Sequence, residues 1–164
     1  MITLRQATPD DAEQLSQLIS ALARFFFATP DGAGAEKFVE AVTPQAMALY
    51  IVRPDFNYLI AEEDGAFCGA VGLREHRHLH HLFVAPKFQR RGIGGQLWRA
   101  VRDAAMAAGN PGKFTVNASL NAVPVYQRFG FESEGGPQQG NGLIFQPMKL
   151  DYRADKAFAA TPPP

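Results

Sequence analysis

The chain has 164 residues, with 16 Lys plus Arg and 16 Asp plus Glu, so its formal net charge is zero. This balance argues against a nucleic-acid-binding protein, because that class usually carries a clear excess of basic residues. One cysteine, no apolar signal core and no apolar run of membrane-spanning length predict a cytoplasmic protein without a membrane partner.

The first half of the chain has the patterns of a strand, two helical stretches and a hairpin. Thr8 with Asp11 three residues later is a capping-box signal for the first helix. Asp64–Gly65 between two apolar runs favours a two-residue hairpin turn, and the aromatic run Phe25–Phe27 is expected to pack into the core. The predicted elements are a strand at 2–7, a helix at 8–22, a helical stretch at 36–52 that restarts at Thr43–Pro44, and a hairpin at 57–73.

The second half of the chain alternates strands and helices. A strand ends at Val84, a helix begins near Gly92, and the next strand covers residues 114–119. Two strands joined through a helix are expected to be parallel, with a right-handed crossover. A short helix over 121–130 and a last strand over 142–150 follow. This order predicts one α/β domain with a mixed sheet over residues 1–150, and a flexible tail over 151–164.

A glycine-rich turn follows the strand that ends at Val84. The segment Gly92-Ile93-Gly94-Gly95 opens a helix, and Arg90 and Arg91 precede it. Glycines allow close approach of a ligand, and the free N–H groups at a helix N-terminus favour an anion, so the segment predicts a phosphate site. It lacks the Lys-Ser/Thr of a P-loop and the third glycine of a dinucleotide fingerprint. A glycine-softened helix start without any ligand remains the alternative.

Two blocks of the chain resemble the GNAT acetyltransferase superfamily. Gln89-x-x-Gly92-x-Gly94 resembles its acetyl-CoA signature, and the later segment with Asn121, Tyr126 and Gly130-Phe131 resembles its second block. The resemblance runs over residues 2–150 in the family's order. It implies a GNAT fold, with a mixed sheet of six or seven strands flanked by about four helices.

The same resemblance implies an activity. It points to an N-acetyltransferase, monomeric or homodimeric, that uses acetyl-CoA as co-substrate. The acetyl group would pass by direct transfer to a primary amine of a small molecule or peptide. The alternative is a non-catalytic or partner-dependent acyl-CoA-binding module.

The resemblance also implies site residues. The strand ending at Val84 would splay from its parallel neighbour and pair with the pantetheine amides, and Tyr126 would protonate the leaving thiolate. A core tyrosine is the alternative for Tyr126, and a helix N-cap is the alternative for Asn121. The implied cofactor contacts are Leu82, Phe83, Val84, Gln89, Arg90, Arg91, Gly92, Ile93, Gly94, Gly95, Asn117, Asn121 and Tyr126.

All four histidines of the chain fall within residues 76–81. Strand alternation places His78 and His80 on one face with Leu82 and Val84, and His81 on the other. A His-x-His pair could bind zinc, but no third ligand is fixed nearby, so no metal is predicted. The block resembles that of the serotonin N-acetyltransferases within the superfamily, which implies that His78 and His80 relay the proton of the amine. Residues 25–56 are expected to set the acceptor, which the sequence does not identify.

Overall fold

A computed structural model describes residues 1–153 of the chain. The strands are β1 Ile2–Gln6, β2 Phe56–Glu63, β3 Ala66–Arg74, β4 His78–Val84, β5 Lys113–Ala118, β6 Glu132–Ser133, β7 Gln138–Gly140 and β8 Leu143–Asp151. The helices are α1 Ala12–Leu22, α2 Glu36–Ala41, α3 Pro44–Val52, α4 Ile93–Ala107 and α5 Val123–Arg128. Within this part of the chain no helix is both long and apolar enough to cross a membrane.

The strands form one mixed sheet in the order β1-β2-β3-β4-β5-β8-β6, and β7 pairs with β8. All neighbouring pairs are antiparallel except β4 and β5, which are parallel as the sequence predicts. The predicted mixed α/β fold class is therefore confirmed. The sheet has eight strands, whereas six or seven were expected. The short strands β6 and β7 show no alternation of polar and apolar residues from which they could have been predicted.

Local sequence signals place several boundaries where they were predicted. Asp64 and Gly65 both have positive φ, which is the backbone that a two-residue hairpin turn between β2 and β3 requires. The Thr43 side chain accepts a hydrogen bond from the Ala46 backbone N–H at 3.2 Å, so it caps α3 and separates it from α2. The first helix begins with a 3-10 turn at Pro9–Asp11, and Thr8 N–H donates to the Asp11 carboxylate at 2.8 Å.

The chain continues its sheet pairing slightly beyond the predicted domain end at residue 150. Strand β8 ends at Asp151, and the Tyr152 N–H donates to the Gly112 carbonyl at 2.6 Å. The Tyr152 ring also lies under the Arg102 guanidinium, 4.2 Å away. Residues 151 and 152 are therefore held against neighbouring elements, while the division into a domain over 1–150 and a flexible tail stays a prediction, whose residues from 154 on lie outside the described part of the chain.

Two apolar cores cover the two faces of the sheet. On one face, α4 contributes Leu97, Trp98 and Val101 to a cluster that includes Leu79 of β4. On the other face, α1 and α3 pack against a cluster that includes Phe83 of β4. Because β4 contacts both cores, it is the strand on which a groove between the two layers can open.

The parallel pair β4–β5 separates after two residues. Only His78↔Thr115 and Leu79↔Val116 are paired, although both strands continue for several residues beyond. On its other edge, β4 stays paired with β3 as far as Val84. The edge of β4 from His80 to Val84 therefore lies open beside β5, as the resemblance implies.

A β-bulge lies at the start of this separation. The β3–β4 register shifts between Gly72↔His81 and Leu73↔Leu79, so His80 is the extra residue. The bulge places the His80 and His81 rings side by side, with centroids 4.2 Å apart. The simple alternation predicted for β4 is wrong from this point, because Leu82 and Val84 pack toward the α4 core while His81 and Phe83 face α1 and α3.

Candidate active site

A groove of about 740 Å³ runs across the open edge of β4. One wall is the N-terminal turn of α4 with the preceding loop, and the opposite wall is the 3-10 turn Ala23–Phe26 that follows α1. The floor is β4, and α5 closes the far end. The groove is lined by Leu22, Arg24, Phe25, Phe26, Leu82, Phe83, Val84, Pro86, Phe88, Gln89, Arg90, Gly92, Ile93, Gly94, Gly95, Arg99, Ser119, Asn121, Ala122, Pro124, Val125, Tyr126, Arg128 and Phe129.

The N-terminus of α4 presents unused hydrogen-bond donors to this groove. No side chain caps the helix, and its first backbone bond runs from the Gln96 N–H to the Gly92 carbonyl at 3.1 Å. The N–H groups of Ile93, Gly94 and Gly95 therefore precede the hydrogen-bonded part of a 15-residue helix. Three such donors together with the positive end of the helix dipole form an anion site.

Glycine occupies each position of this turn for a different physical reason. Gly92 has φ of +79°, a left-handed backbone that favours glycine. A Cβ on Gly95 would lie 3.1 Å from Nη1 of Arg99, one helical turn later, so the missing side chain makes room for that guanidinium. Gly94 has neither requirement, since its φ is ordinary and a Cβ there would meet only Val84 at 3.9 Å. The absence of a side chain at Gly94 therefore leaves open space in the groove.

Four arginines line the groove without ion-pair partners. Within residues 1–153, the side chains of Arg24, Arg90, Arg99 and Arg128 form no salt bridge, whereas Arg91 is held by Glu63 with two contacts of 2.6 and 2.8 Å. Unpaired guanidinium groups that converge on one groove favour a ligand with several negative charges.

Tyr126 lies at the end of the groove and is fixed by the end of its helix. The Phe131 N–H donates to the Tyr126 carbonyl and the Gly130 N–H donates to the Gln127 carbonyl, both at 3.0 Å. With φ of +100° at Gly130, this is the Schellman arrangement that ends a helix. The ring packs edge-on against Phe129 and Phe131. The Gly-Phe block therefore holds Tyr126 in place.

The hydroxyl of Tyr126 is available for chemistry. Burial alone raises the pKa of this phenol above its usual value near 10, with no contribution from a hydrogen bond or a nearby charge. All fully buried side-chain N and O atoms of the described residues are hydrogen-bonded, so this partnerless hydroxyl reaches accessible space in the groove. It therefore stays protonated near neutral pH and can donate its proton.

The histidines of β4 lie outside the groove lining, with His80 and His81 on the sheet face that packs against α1 and α3. His80 packs edge-on against Tyr50 and Phe56, and His81 shares a 2.9 Å hydrogen bond with the Tyr58 hydroxyl. The Nδ1 of His78 is 2.8 Å from the Thr115 hydroxyl. Burial first, with help from Arg74, lowers the pKa of His78 and of His80 to about 4. Both imidazoles are therefore neutral at pH 7.

Comparison with known proteins assigns the chain to a family. The family model described as "Acetyltransferase (GNAT) domain" matches residues 26–152. The chain belongs to the GNAT acetyltransferase family. An N-acetyltransferase of Bacillus subtilis (strain 168) named YhfO, itself described as uncharacterized, is 28% identical over 148 residues, covering 82% of this chain and 93% of that protein. The acetyltransferase assignment predicted from the sequence is thereby confirmed.

Solved GNAT structures share the fold. PaiA N-acetyltransferase of Thermoplasma acidophilum, in complex with coenzyme A, is 20% identical with a TM-score of 0.74, covering 93% of this chain and 99% of that one. A GCN5-related N-acetyltransferase of Rhodopseudomonas palustris is 24% identical with a TM-score of 0.75, covering 92% and 95%. A variant of the spermidine N-acetyltransferase SpeG of Vibrio cholerae is 20% identical with a TM-score of 0.64, covering 91% and 92%.

These comparisons support the predicted family and its co-substrate, acetyl-CoA, since the Thermoplasma protein was solved with coenzyme A. They do not support the narrower resemblance of the histidine block to serotonin N-acetyltransferases, which stays a prediction. Within residues 1–153 no group of three His, Cys, Asp or Glu side chains is arranged to hold a metal ion.

The GNAT groove brings together most of the predicted cofactor residues but not all of them. Arg91 does not line it because its guanidinium is bound to Glu63, and Asn117 does not line it but lies exposed on β5. His78 and His80 also lie outside its lining. The predicted residues that do line the groove are Leu82, Phe83, Val84, Gln89, Arg90, Gly92, Ile93, Gly94, Gly95, Asn121 and Tyr126.

Two of these residues have local partners that the sequence did not indicate. The Gln89 side-chain amide donates to the Val84 carbonyl at 2.9 Å, so it ties the loop to the end of β4. Asn121 lies inside a 3-10 turn, and its side-chain oxygen accepts from the Ser119 hydroxyl at 2.7 Å. The alternative of Asn121 as a helix N-cap is therefore wrong, because Ala122 precedes α5 and no side chain caps it.

Sequence reasoning missed one whole wall of the groove, which includes Arg24, and two further cations, Arg99 and Arg128. Arg99 could have been found from its spacing, because it lies one helical turn after Gly95 on the predicted α4. Arg128 follows Tyr126 by two residues and carries no such signal. Phe25 and Phe26 were expected in the core, but both line the groove and Phe25 is 40% exposed.

Proposed function

We propose that this GNAT protein is an acetyl-CoA-dependent N-acetyltransferase that moves an acetyl group by direct transfer to a primary amine of a small molecule or peptide. The observation that carries the proposal is one continuous groove with three parts. These are the uncapped N-terminus of α4, the open edge of β4 and the partnerless hydroxyl of Tyr126.

Each part of the groove fits one part of the cofactor. The N–H groups of Ile93, Gly94 and Gly95 would hold the pyrophosphate, with Arg90 and Arg99 adding positive charge. The pantetheine amides would pair with the open edge of β4 at Leu82–Val84 as an additional strand. This path leads the thioester toward Tyr126 at the far end of the groove.

The transfer step needs an amine without its proton. The neutral nitrogen attacks the thioester carbonyl carbon, and the tetrahedral intermediate then breaks its C–S bond. Tyr126 donates its proton to the departing thiolate, and the proton lost by the nitrogen goes to a base. The products are an amide and coenzyme A with a thiol, so atoms and charges balance.

His80 is the better candidate for that base than His78. The Nδ1 of His78 is engaged with Thr115, whereas neither ring nitrogen of His80 has a hydrogen-bond partner among residues 1–153. His80 is also the bulge residue at the point where β4 leaves β5. Since it does not line the groove, it would receive the proton through an intervening water.

The second candidate function is an acyl-CoA-binding module without turnover. The lowered pKa of His80 favours it, because a base with a pKa of about 4 has little driving force to take a proton from an amine. Binding with no transfer to any amine would support this alternative.

The single cysteine, Cys68, is buried, which is in keeping with the cytoplasmic location predicted from the sequence.

Two measurements test the proposed function. Acetyl-CoA at saturating concentration is expected to raise the melting temperature, because a ligand that binds only the folded state stabilises it. Release of the coenzyme A thiol is then followed across a panel of primary amines. Failure of acetyl-CoA to stabilise the protein contradicts cofactor binding, and stabilisation without amine-dependent thiol release contradicts transfer.

A further inference from the structure

The groove wall opposite α4 is apolar and aromatic. Leu22 ends α1, Phe25 and Phe26 lie in the following 3-10 turn, and Phe83 faces them from β4 with its ring 6.3 Å from that of Phe26. Leu22 and Phe83 are buried, but Phe25 leaves 40% of its surface exposed. A large aromatic side chain exposed within a groove is surface that an apolar ligand can cover.

This wall is held at both ends by the fold. Toward α1, Leu22 and Ala23 are buried in or beside the core. Just after the wall, Phe27 forms a bridge with Leu143 of β8, and the Ala28 N–H donates to the Gly142 carbonyl at 2.8 Å. The exposure of Phe25 therefore belongs to an anchored segment.

The groove also lacks any negative charge. Among the described residues that line it there is no Asp and no Glu, and its four charged residues are all arginines. The arginines nearest the α4 N-terminus, Arg90 and Arg99, match the phosphates of the cofactor. Arg24 lies on the aromatic wall itself, with its guanidinium 4.6 Å from the centre of the Phe25 ring.

We propose that the acceptor is an amine with an aromatic or aliphatic body and no second positive charge, seated against Leu22, Phe25, Phe26 and Phe83. This inference rests on the proposed acetyl transfer and names its substrate class. It sets the protein apart from acetyltransferases that act on polyamines.

The reacting nitrogen of an acceptor and a second amino group on it differ in charge during the reaction. The reacting amine attacks as the neutral base and passes the proton that it then sheds to the catalytic base, so it needs no fixed carboxylate. A second ammonium group would stay charged while it left water, and this groove would offer it arginines in place of a carboxylate. A polyamine would therefore lose binding free energy that an alkylamine of the same length keeps.

Matched amine pairs test the substrate class. We compare pentylamine with 1,5-diaminopentane, and 2-phenylethylamine with spermidine, by kcat/KM for thiol release and by calorimetric binding to the protein–coenzyme A complex. The single-charge amine of each pair is expected to bind and react at least about tenfold better. Preference for the diamine or for spermidine overturns the inference while acetyl transfer stands.

Calorimetry separates the two proposals where kinetics alone cannot. Binding of the apolar amines without turnover supports the acceptor class and contradicts transfer. No binding of any apolar amine overturns the acceptor class, whether or not another amine is acetylated.

Variants of the wall locate the subsite. Phe25→Ala is expected to lower kcat/KM for 2-phenylethylamine about tenfold and to leave KM for acetyl-CoA unchanged, because the ring contacts only the acceptor. Phe25→Asp is expected to improve kcat/KM for 1,5-diaminopentane by supplying a carboxylate. Leu49→Ala, at an apolar residue of α3 that is 66% exposed and outside the groove, is the matched control. Equal kinetics for Phe25→Ala and Leu49→Ala overturn the assignment of this wall.

Discussion

At the scale of single residues, Tyr126 in the groove keeps its proton near neutral pH, whereas the imidazoles of β4, outside the groove lining, are neutral. Among the described residues the Tyr126 hydroxyl has no hydrogen-bond partner, and burial raises its pKa, so its proton is present throughout the neutral range. His80 and His81 are neutral because burial lowers the pKa of each ring. A protonated phenol and neutral imidazoles are the protonation states that the proposed acetyl transfer needs at the start of the reaction.

The Tyr126 hydroxyl is the first group to test. Tyr126→Phe removes the proton donor and keeps the ring that packs on Phe129 and Phe131, so kcat is expected to fall about 100-fold with little change in KM for acetyl-CoA. Tyr152→Phe, outside the groove, is the control and should retain full activity. If both variants keep the wild-type kcat, Tyr126 is a packing residue.

The role of His80 is visible in the pH dependence. His80→Ala is expected to lower kcat roughly 10- to 100-fold at pH 7 and much less near pH 10, where free amine is plentiful because the usual amine pKa is about 10.4. Pre-steady-state rates across that pH range are the measurement. His76→Asn is the control, since His76 is exposed in a turn with a positive φ that Asn tolerates. An equal loss at every pH contradicts the assignment of His80 as the base.

At the scale of elements, the first turn of α4 links glycine content to ligand binding. Gly94→Ala adds a methyl group with no close contact in the protein and replaces a poor helix former with a good one. Chemical denaturation is expected to show stability unchanged or raised, by up to about 1 kcal/mol. Affinity for acetyl-CoA is expected to fall about tenfold, because the methyl group occupies the space beside the N–H donors.

Gly136→Ala is the matched control for this substitution, because a Cβ there meets nothing within 4 Å and the residue lies outside the groove. It should not change the affinity for acetyl-CoA measured by calorimetry. Unchanged affinity in Gly94→Ala would show that the phosphates bind elsewhere.

Strand β4 should also make the folded state sensitive to acid. The pKa of His78 and of His80 is lowered to about 4, and that of His81 lies well below its usual 6.5, so the unfolded chain binds protons more readily between pH 6.5 and 4. Stability therefore falls as the pH is lowered through this window, by up to about 1.5 kcal/mol each for His78 and His80 between pH 6.5 and 5. Urea unfolding at several pH values measures the slope.

The double variant His78→Gln/His80→Gln gives the comparison for this slope. Glutamine does not titrate, so the variant should lose less stability than the wild type between pH 6.5 and 5, whatever its stability at pH 7. Asp11 does not interfere, because its pKa is lowered from 3.8 and it titrates below the window. A slope equal to that of the wild type would contradict the role given to the imidazoles of His78 and His80.

Strand β4 also shows where sequence reasoning ends. Its apolar residues, its parallel partner and its glycine-rich continuation were predictable from alternation, connectivity and motif spacing. The bulge at His80 was not, because one extra residue in a ladder leaves no trace in composition. Leu82 and Val84 therefore lie on the opposite face of the sheet from the one predicted for them. His78 and His80 share one face, as predicted.

At the scale of the whole molecule, features set by local sequence could be predicted, whereas features set by long-range packing could not. The order of helices and strands, the open β4 edge and the GNAT family followed from local patterns and two short blocks. The aromatic wall did not, because Phe25 and Phe26 come close to β4 and α5 only through packing of α1 on the sheet. The pairing of Arg91 with Glu63 was equally hidden, since 28 residues separate them.

The central claim is that one groove holds acetyl-CoA from the N-terminus of α4 to Tyr126. A crystal structure of the protein with coenzyme A tests it most directly. We expect the pyrophosphate on the N–H groups of Ile93–Gly95, the pantetheine along the open edge of β4, and the sulfur within hydrogen-bond distance of the Tyr126 hydroxyl. Coenzyme A bound outside this groove, or a sulfur out of reach of Tyr126, would contradict the account.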